Sequence, residues 1–271
     1  MSRPTLSVCL TTRNAADRLE WWFERVRPFA DEIVVAVDAG STDDTYDVAA
    51  RHADVLTCVE LPGFVEPSRD WLVHQARGDW VLILDDDEAL PCSAEELLRP
   101  LLEDRRYTSC ALPVRWVVQG PDGQLAWLQC HPWHSTHWLR LWRNIPGLYF
   151  VPGAIHSTPL VLGDSRALPA DGPLALYHLN PLWSPRSERE AKVERYRQVA
   201  GPEDPTAGEY YLHEDYTSTL ELAPLPTGET FPSGFASRAS LPASAAAPAV
   251  TSYAQLRDHL HKRASVSGAV I

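Results

Sequence analysis

The chain has 271 residues, 45% of them hydrophobic, which is enough for a sizeable core in one large domain or in one domain with an appendage. Acidic residues outnumber basic ones 36 to 24, and the formal net charge of -12 leaves no basic excess for nucleic acid or an anionic membrane. The five cysteines (Cys9, Cys58, Cys92, Cys110, Cys130) include no C-x-x-C pair, so reduced thiols are expected rather than disulfides or a zinc site.

Leu6 to Leu10 reads as a buried strand ending in Thr11-Thr12-Arg13-Asn14. Asn14 is placed to cap a helix over 15–27, with Asp17 in its first turn and Leu19, Trp22, Phe23 and Val26 at helical spacing. Ile33 to Val37 is a second strand, stopping at Asp38-Ala39-Gly40-Ser41-Thr42-Asp43-Asp44-Thr45. A helix to about His52, a strand from Val55 to Val59 and a helix from Pro67 to Ala76 follow, the last broken by Gly78. The apolar run from Trp80 to Leu84 then gives way, without a spacer, to Asp85-Asp86-Asp87-Glu88. A strand buried on both faces has this pattern.

Strands alternating with helices predict an α/β fold with a mostly parallel sheet, whose ligands bind at the carboxyl ends of the strands. Three strands end there in polar groups: Thr11 to Asn14, Asp38 to Asp43 and Asp85 to Glu88. Four adjacent carboxylates repel unless something positive sits among them, and a divalent cation with oxygen ligands is one neutraliser. The other reading is an acidic turn before a helix capped by Ser93 and Glu96. Neither a G-x-G-x-x-G after the first strand nor a P-loop motif is present, which disfavours a dinucleotide site and a P-loop site.

Ser7 to Asn14, Asp31 to Thr45 and Ala76 to Glu88 together resemble family 2 glycosyltransferases of the GT-A fold. A weaker similarity runs through Leu139-Arg140-Leu141-Trp142-Arg143, Gly153-Ala154-Ile155-His156 and Tyr177-His178, and resembles the bacterial branch related to lipopolysaccharide-core sugar transferases. The resemblance implies a GT-A-like fold, a nucleoside-diphosphate sugar donor (a UDP-sugar first) and inversion at the anomeric carbon. It places Thr11, Arg13, Asp38, Asp85 and Asp86 at the donor, Asp38 near the base and Asp85 near the ribose. Asp87 would be the carboxylate on Mn²⁺ or Mg²⁺ bridging the diphosphate, and His156 a further metal ligand or diphosphate contact. Such a metal offsets the charge of the departing diphosphate as a Lewis acid. The alternatives are a strand-end hydroxyl for Thr11, a loop-capping acid for Asp38 and a structural histidine for His156.

The second half is where an acceptor would bind. Ser93 to Tyr107 is expected to be a helix, and Ala111 to Val118 with Gln124 to Leu128 a hairpin turning at Gly120-Pro121-Asp122-Gly123. Cys130 to Trp138 carries His131, His134, His137, Trp133 and Trp138, which read either as an acceptor wall or as packing. Arg140 and Arg143 are candidates for the diphosphate or are surface arginines. The general base is open: Asp122 lies in a turn and Ser157 follows His156, so either one of the three histidines, such as His137, or Glu88 serves, or the acceptor is a better nucleophile than an alcohol and needs less help. Ser184-Pro185 starts a helix to about Ala200.

The expected organisation is a nucleotide-sugar half at 1–110, an acceptor half at 111–200 and a Pro/Ala-rich, largely irregular extension at 201–271. A short helix over 253–263 would carry Leu256 and Leu260. The expected function is metal-dependent sugar transfer to a glycan, small-molecule or peptide acceptor; the rivals are an inactive nucleotide- or sugar-binding module and a sugar nucleotidyltransferase. Neither a leader nor a transmembrane segment is visible, so a cytoplasmic location is expected, with peripheral membrane contact left open.

Overall fold

The computed structural model describes residues 3–134, 136–145, 149–150, 159–200, 208–216, 220–235 and 249–266. The first part alternates β1 (Leu6–Thr12), α1 (Ala16–Val26), β2 (Glu32–Asp38), α2 (Thr45–His52), β3 (Val55–Val59), α3 (Glu66–Gln75) and β4 (Trp80–Ile83). There follow β5 (Glu88–Ala89), α4 (Ala94–Glu103), β6 (Ser109–Gln119), β7 (Leu125–Leu128), β8 (His137–Arg143), β9 (Tyr149–Phe150), β10 (Pro159–Leu160), β11 (Ser165–Ala167) and β12 (Leu176–His178). The chain closes with α5 (Asn180–Trp183), α6 (Arg186–Ala200), β13 (Leu222–Pro224), β14 (Val250–Thr251) and α7 (Tyr253–Val266).

Every residue of β1, β2 and β4 is buried, because alternate side chains feed two separate layers. Leu6, Val8, Leu10, Ile33, Val35, Trp80 and Leu82 meet Leu19, Trp22, Phe23 and Leu98 of α1 and α4. Cys9, Val34, Ala36, Val81 and Ile83 meet Leu72 and Val73 of α3. The strands β3-β2-β1-β4 are parallel. β8 then runs antiparallel between β4 and β6, so the two expected halves of the domain share one sheet. The fold is the mixed α/β sheet flanked by helices that the sequence pattern predicts. The predicted hairpin closes at Gly123, whose φ of +78° favours glycine. Gly78 does more than end a helix: a Cβ there would lie 2.7 Å from the backbone nitrogen of Ser7, so the loop between α3 and β4 approaches β1 as closely as it does only with glycine at this position.

Three local expectations are corrected. Asn14 does not cap α1; it sits at φ 48°, its Oδ1 accepts the N–H of Thr42, and the helix start is held by Asp43, which accepts the N–H of Ala16 at 3.0 Å. Ser93 makes no side-chain cap at α4. That helix stops at Glu103, short of Tyr107, because Asp104 turns to accept the backbone N–H and the guanidinium of Arg106.

The described part of the tail is largely irregular, with α7 where a short helix was expected, and it docks on the domain at a few points. β13 pairs antiparallel with β7, and Phe231 packs on Ala89, Val117 and Tyr177. Glu229 accepts from Arg25 at 2.5 Å and from the N–H of Cys92 at 2.9 Å. β14 lies parallel to β3, and α7 buries Leu256 completely against the Leu72 and Val73 layer. Proline fixes extended backbone without forbidding it to dock, so a proline-rich composition is compatible with a strap held by a few apolar anchors. Leu256→Ala is expected to cost about 2–5 kcal/mol in urea unfolding; a loss under about 0.5 kcal/mol would mean that α7 does not close this layer.

Candidate active site

Two of the three polar strand ends open into one cleft of about 1500 Å³, lined by Thr11, Arg13 and Asn14 after β1 and by Asp85 to Glu88 after β4, whereas Asp38 to Asp43 after β2 do not line it. The turn Asp85–Glu88 at the tip of β4 is fixed by its own backbone. The N–H of Glu88 is donated to the carbonyl of Asp85, Leu179 N–H to that of Asp87, and the Trp22 indole to that of Asp85.

The four carboxylates have different surroundings. Asp85 lies 3.2 Å from Arg69 and 3.0 Å from Arg140. Burial works against its charge, but the two guanidiniums outweigh burial and hold it well below the usual carboxylate range. Asp86 turns inward, accepting from Thr12 at 2.6 Å and pairing with Arg18 at 3.0 Å. Burial raises it, with Arg18 opposing and Asp87 adding to the rise. Glu88 is wholly buried, with one oxygen on Arg140 and the other on the N–H of Asp85. Burial lifts it to about 8, with Arg140 opposing and Asp85 and Asp87 reinforcing. Asp87 alone carries no hydrogen bond from a described side chain; among the described residues its ion-pair partner is Lys192, 4.0 Å away. Its carboxyl is lowered even so, because His178 and Lys192 outweigh the effect of burial.

The remaining expected residues are distributed around this tip. Thr11 is buried on the cleft wall and shares a hydrogen bond of 2.7 Å with Ser68. Asp38 is buried behind the wall, accepts the N–H of Gly40 and holds Arg13 at 3.3 Å, and Arg13 does reach the wall. His137 lines the cleft with Nε2 on the carbonyl of Leu168 at 2.8 Å. Arg140 joins Asp85 and Glu88. Arg143 does not: it is paired with Trp80 at the start of β4, bonded to the carbonyls of Asp104 and Tyr107 and stacked over the Trp80 ring. Three residues along a strand span ~10 Å and end on opposite faces, so Arg140 and Arg143 cannot serve one site. His156 lies outside the described residues. Trp133 is core, its indole donating to the carbonyl of Tyr210, while Trp138 is half-buried on the cleft beneath Arg140.

The sequence reading missed Arg18, Arg69, Lys192 and His178. His178 pairs across from Glu88 and lies flat on Trp116, ring centroids 4.1 Å apart and planes within 7°. Its Nδ1 accepts the N–H of Asn180 at 3.3 Å, which puts the proton of the neutral ring on Nε2. Burial holds it neutral, pushing it down to about 4 against the pull of Asp87. Its place in Tyr177-His178, within the weaker similarity, was the available signal. Lys192 also had one: it is one of two lysines in a chain with 24 basic residues.

Among the described residues no three His, Cys, Asp or Glu side chains converge to hold a metal by themselves. A magnesium-like ion at a nucleotide needs one or two protein carboxylates, with phosphate oxygens and water completing its shell. The cleft-facing Asp87 meets that lesser requirement. The residues therefore fit a metal that arrives on a diphosphate.

Residues 7–159 match the family described as glycosyl transferase family 2, and the chain belongs to that family. It is 32% identical over 98 residues to a TPR repeat-containing protein of Synechococcus elongatus, covering 36% of this chain and 24% of that protein. The chain therefore spans about a quarter of the length of this relative. Among solved structures it is similar to glucosyl-3-phosphoglycerate synthase from Mycobacterium tuberculosis in complex with Mn²⁺ and UDP-glucose (21% identity, 42% of this chain and 44% of that one, TM-score 0.35). It is also similar to S. aureus TarS 1-349 (15% identity, 72% and 64%, TM-score 0.41). No helix of the described residues is long and apolar enough to cross a membrane.

Proposed function

We propose that this family 2 chain transfers a sugar from a nucleoside-diphosphate donor, a UDP-sugar first, to an acceptor with inversion, using a divalent metal carried on the diphosphate. The observation that carries this reading is the division of labour at the tip of β4. All four line the cleft, but three are tied to Arg18, Arg69 and Arg140, and Asp87 alone carries no hydrogen bond from a described side chain. Asp87 would hold Mn²⁺ or Mg²⁺, which supplies Lewis-acid stabilisation of the leaving diphosphate. Arg13 and Thr11, on the adjoining wall, and Asp38 behind Arg13 would frame the nucleoside. Arg140 acts by positioning Asp85 and Glu88 rather than by touching substrate.

The acceptor would lie between Trp138 and the inner face of α6, with an aromatic surface that suits a glycan, a small molecule or a peptide. Glu88 is engaged on both oxygens and His137 holds the Leu168 carbonyl. The exposed Glu188 of α6, on the same wall, is therefore the carboxylate best placed to deprotonate an acceptor hydroxyl. Assignment to the lipopolysaccharide-core-related branch belongs to the same proposal, and its support is that Arg140 and His178, two residues of the weaker similarity, both meet the acidic tip.

Thermal unfolding with nucleoside diphosphates and their sugars, with and without Mn²⁺, tests the reading. One diphosphate at a hundred times its Kd should raise Tm by about 5–10 °C, only with metal present. A folded protein that answers to no diphosphate, with or without metal, would leave a binding module without this chemistry.

A further inference from the structure

The acidic tip is matched by four cations, Arg18, Arg69, Arg140 and Lys192, and they are not held alike. Arg18 and Arg140 hydrogen-bond their carboxylates at 3.0 Å or closer, and Arg69 reaches Asp85 at 3.2 Å. Lys192 Nζ stands 4.0 Å from Asp87 Oδ2, beyond hydrogen-bond length, and 4.2 Å from the centre of the Tyr211 ring. It is thus kept near Asp87 by charge and by an aromatic face, with no hydrogen bond to a described residue to lock it. A lysine ammonium on a four-carbon stem re-aims easily, whereas an arginine fork at this place would clamp the carboxylate. Lys192 comes from α6, across the cleft from β4, with its side chain 24% exposed and that of Asp87 16% exposed.

Asp87 needs a counter-charge whenever the cleft is empty, since a largely buried carboxylate beside Asp85 and Asp86 is otherwise uncompensated. A metal entering on a diphosphate provides that charge and at the same time brings anionic oxygens into the space beside Lys192. We propose that Lys192 is an exchange cation: it guards Asp87 while no donor is bound, and moves to a diphosphate oxygen when the donor's metal takes Asp87. In that second position it adds a second positive group to the leaving diphosphate. The inference rests on the reading of Asp87 as the metal carboxylate. It has a consequence that reading lacks: metal alone must displace an ammonium, so Mn²⁺ without nucleotide binds weakly, and metal and diphosphate bind as a pair.

The test is Mn²⁺ titration followed by electron paramagnetic resonance, on wild type and Lys192→Met, alone and with the diphosphate that gives the largest Tm rise (UDP on the present reading). Circular dichroism checks that the variant is folded. Lys192→Met should bind Mn²⁺ alone about tenfold more tightly and the diphosphate with Mn²⁺ about tenfold less tightly. Lys192→Arg should weaken Mn²⁺ alone. Opposite signs for the two ligands separate exchange from mere structural support, which would shift both in one direction. Equal Mn²⁺ affinity in wild type and Lys192→Met, or unchanged diphosphate affinity, overturns the exchange and leaves the donor site standing. A wild type that takes up Mn²⁺ under neither condition overturns the donor site and the exchange with it.

Discussion

Asp87→Ala is expected to lower sugar transfer by at least about 10³-fold while leaving the fold in place, because in the proposed mechanism it removes the carboxylate that holds the metal, and it removes no hydrogen bond from a described side chain. The measurement is release of the nucleoside diphosphate from its sugar under saturating Mn²⁺, with Tm recorded alongside. Tm should change by no more than a few degrees, since the carboxylate accepts no hydrogen bond from a described side chain and its backbone carbonyl, which receives Leu179, is retained. Activity within tenfold of wild type would remove Asp87 from the mechanism. Asp86→Ala provides the contrast. Its carboxylate ties β4 to Thr12 and Arg18, so its loss should appear first in stability and only secondarily in turnover.

The largest stability effect is expected at Arg140. Arg140→Met removes the shared partner of Asp85 and Glu88, leaving Asp85 with Arg69 alone and the buried Glu88 with no ion-pair partner among the described residues, a change worth about 3–5 kcal/mol. Urea unfolding of wild type, Arg140→Met, Glu88→Gln and the double variant measures it as a cycle. The double variant should recover a substantial part of the loss, because a neutral amide does not need the guanidinium. The pH dependence has a definite sign. The folded-state pKa of Glu88, about 8, lies above its unfolded value, so protonated Glu88 favours the folded state. That contribution is full below about pH 4.3 and disappears as pH rises through 8. Without Arg140 the bias toward the protonated form grows, so the deficit of Arg140→Met should be larger at pH 8.5 than at pH 5.5. A deficit that does not change with pH would mean that Glu88 stays ionised without its partner.

Much of the fold was legible because its causes are local. Continuous apolar runs in β1, β2 and β4 mark strands buried on both faces, and the abrupt change at Asp85 marks where a buried strand surfaces. The carboxylates were legible in the same way, as four adjacent letters. Their division into three tied to arginines and one without a hydrogen bond from a described side chain was not, because it depends on partners brought from α1, α3, β8 and α6 by the topology. Arg143 shows the converse: letter spacing placed it with Arg140, and the strand direction then carried it to the other end of β4. Caps failed for a related reason. Asn14 has the right chemistry to cap a helix, but a loop from elsewhere, with Asp43 and Thr45, reaches that helix start first. The docking of the tail was not legible because composition reports average apolar content, whereas docking needed only a few well-placed anchors such as Phe231 and Leu256.

The path of strands runs β13-β7-β6-β8-β4-β1-β2-β3-β14, and both outermost members come from the tail. One is three residues long and the other two. A sheet margin with unpaired amides is a template for other chains, and very short border strands blunt that tendency. The segment after α6 thus works as hemming on both sides of the sheet. A fragment cut from this protein without it would bare the flanks of β7 and β3 together, so the boundary of a self-sufficient domain lies beyond the last helix of the cleft.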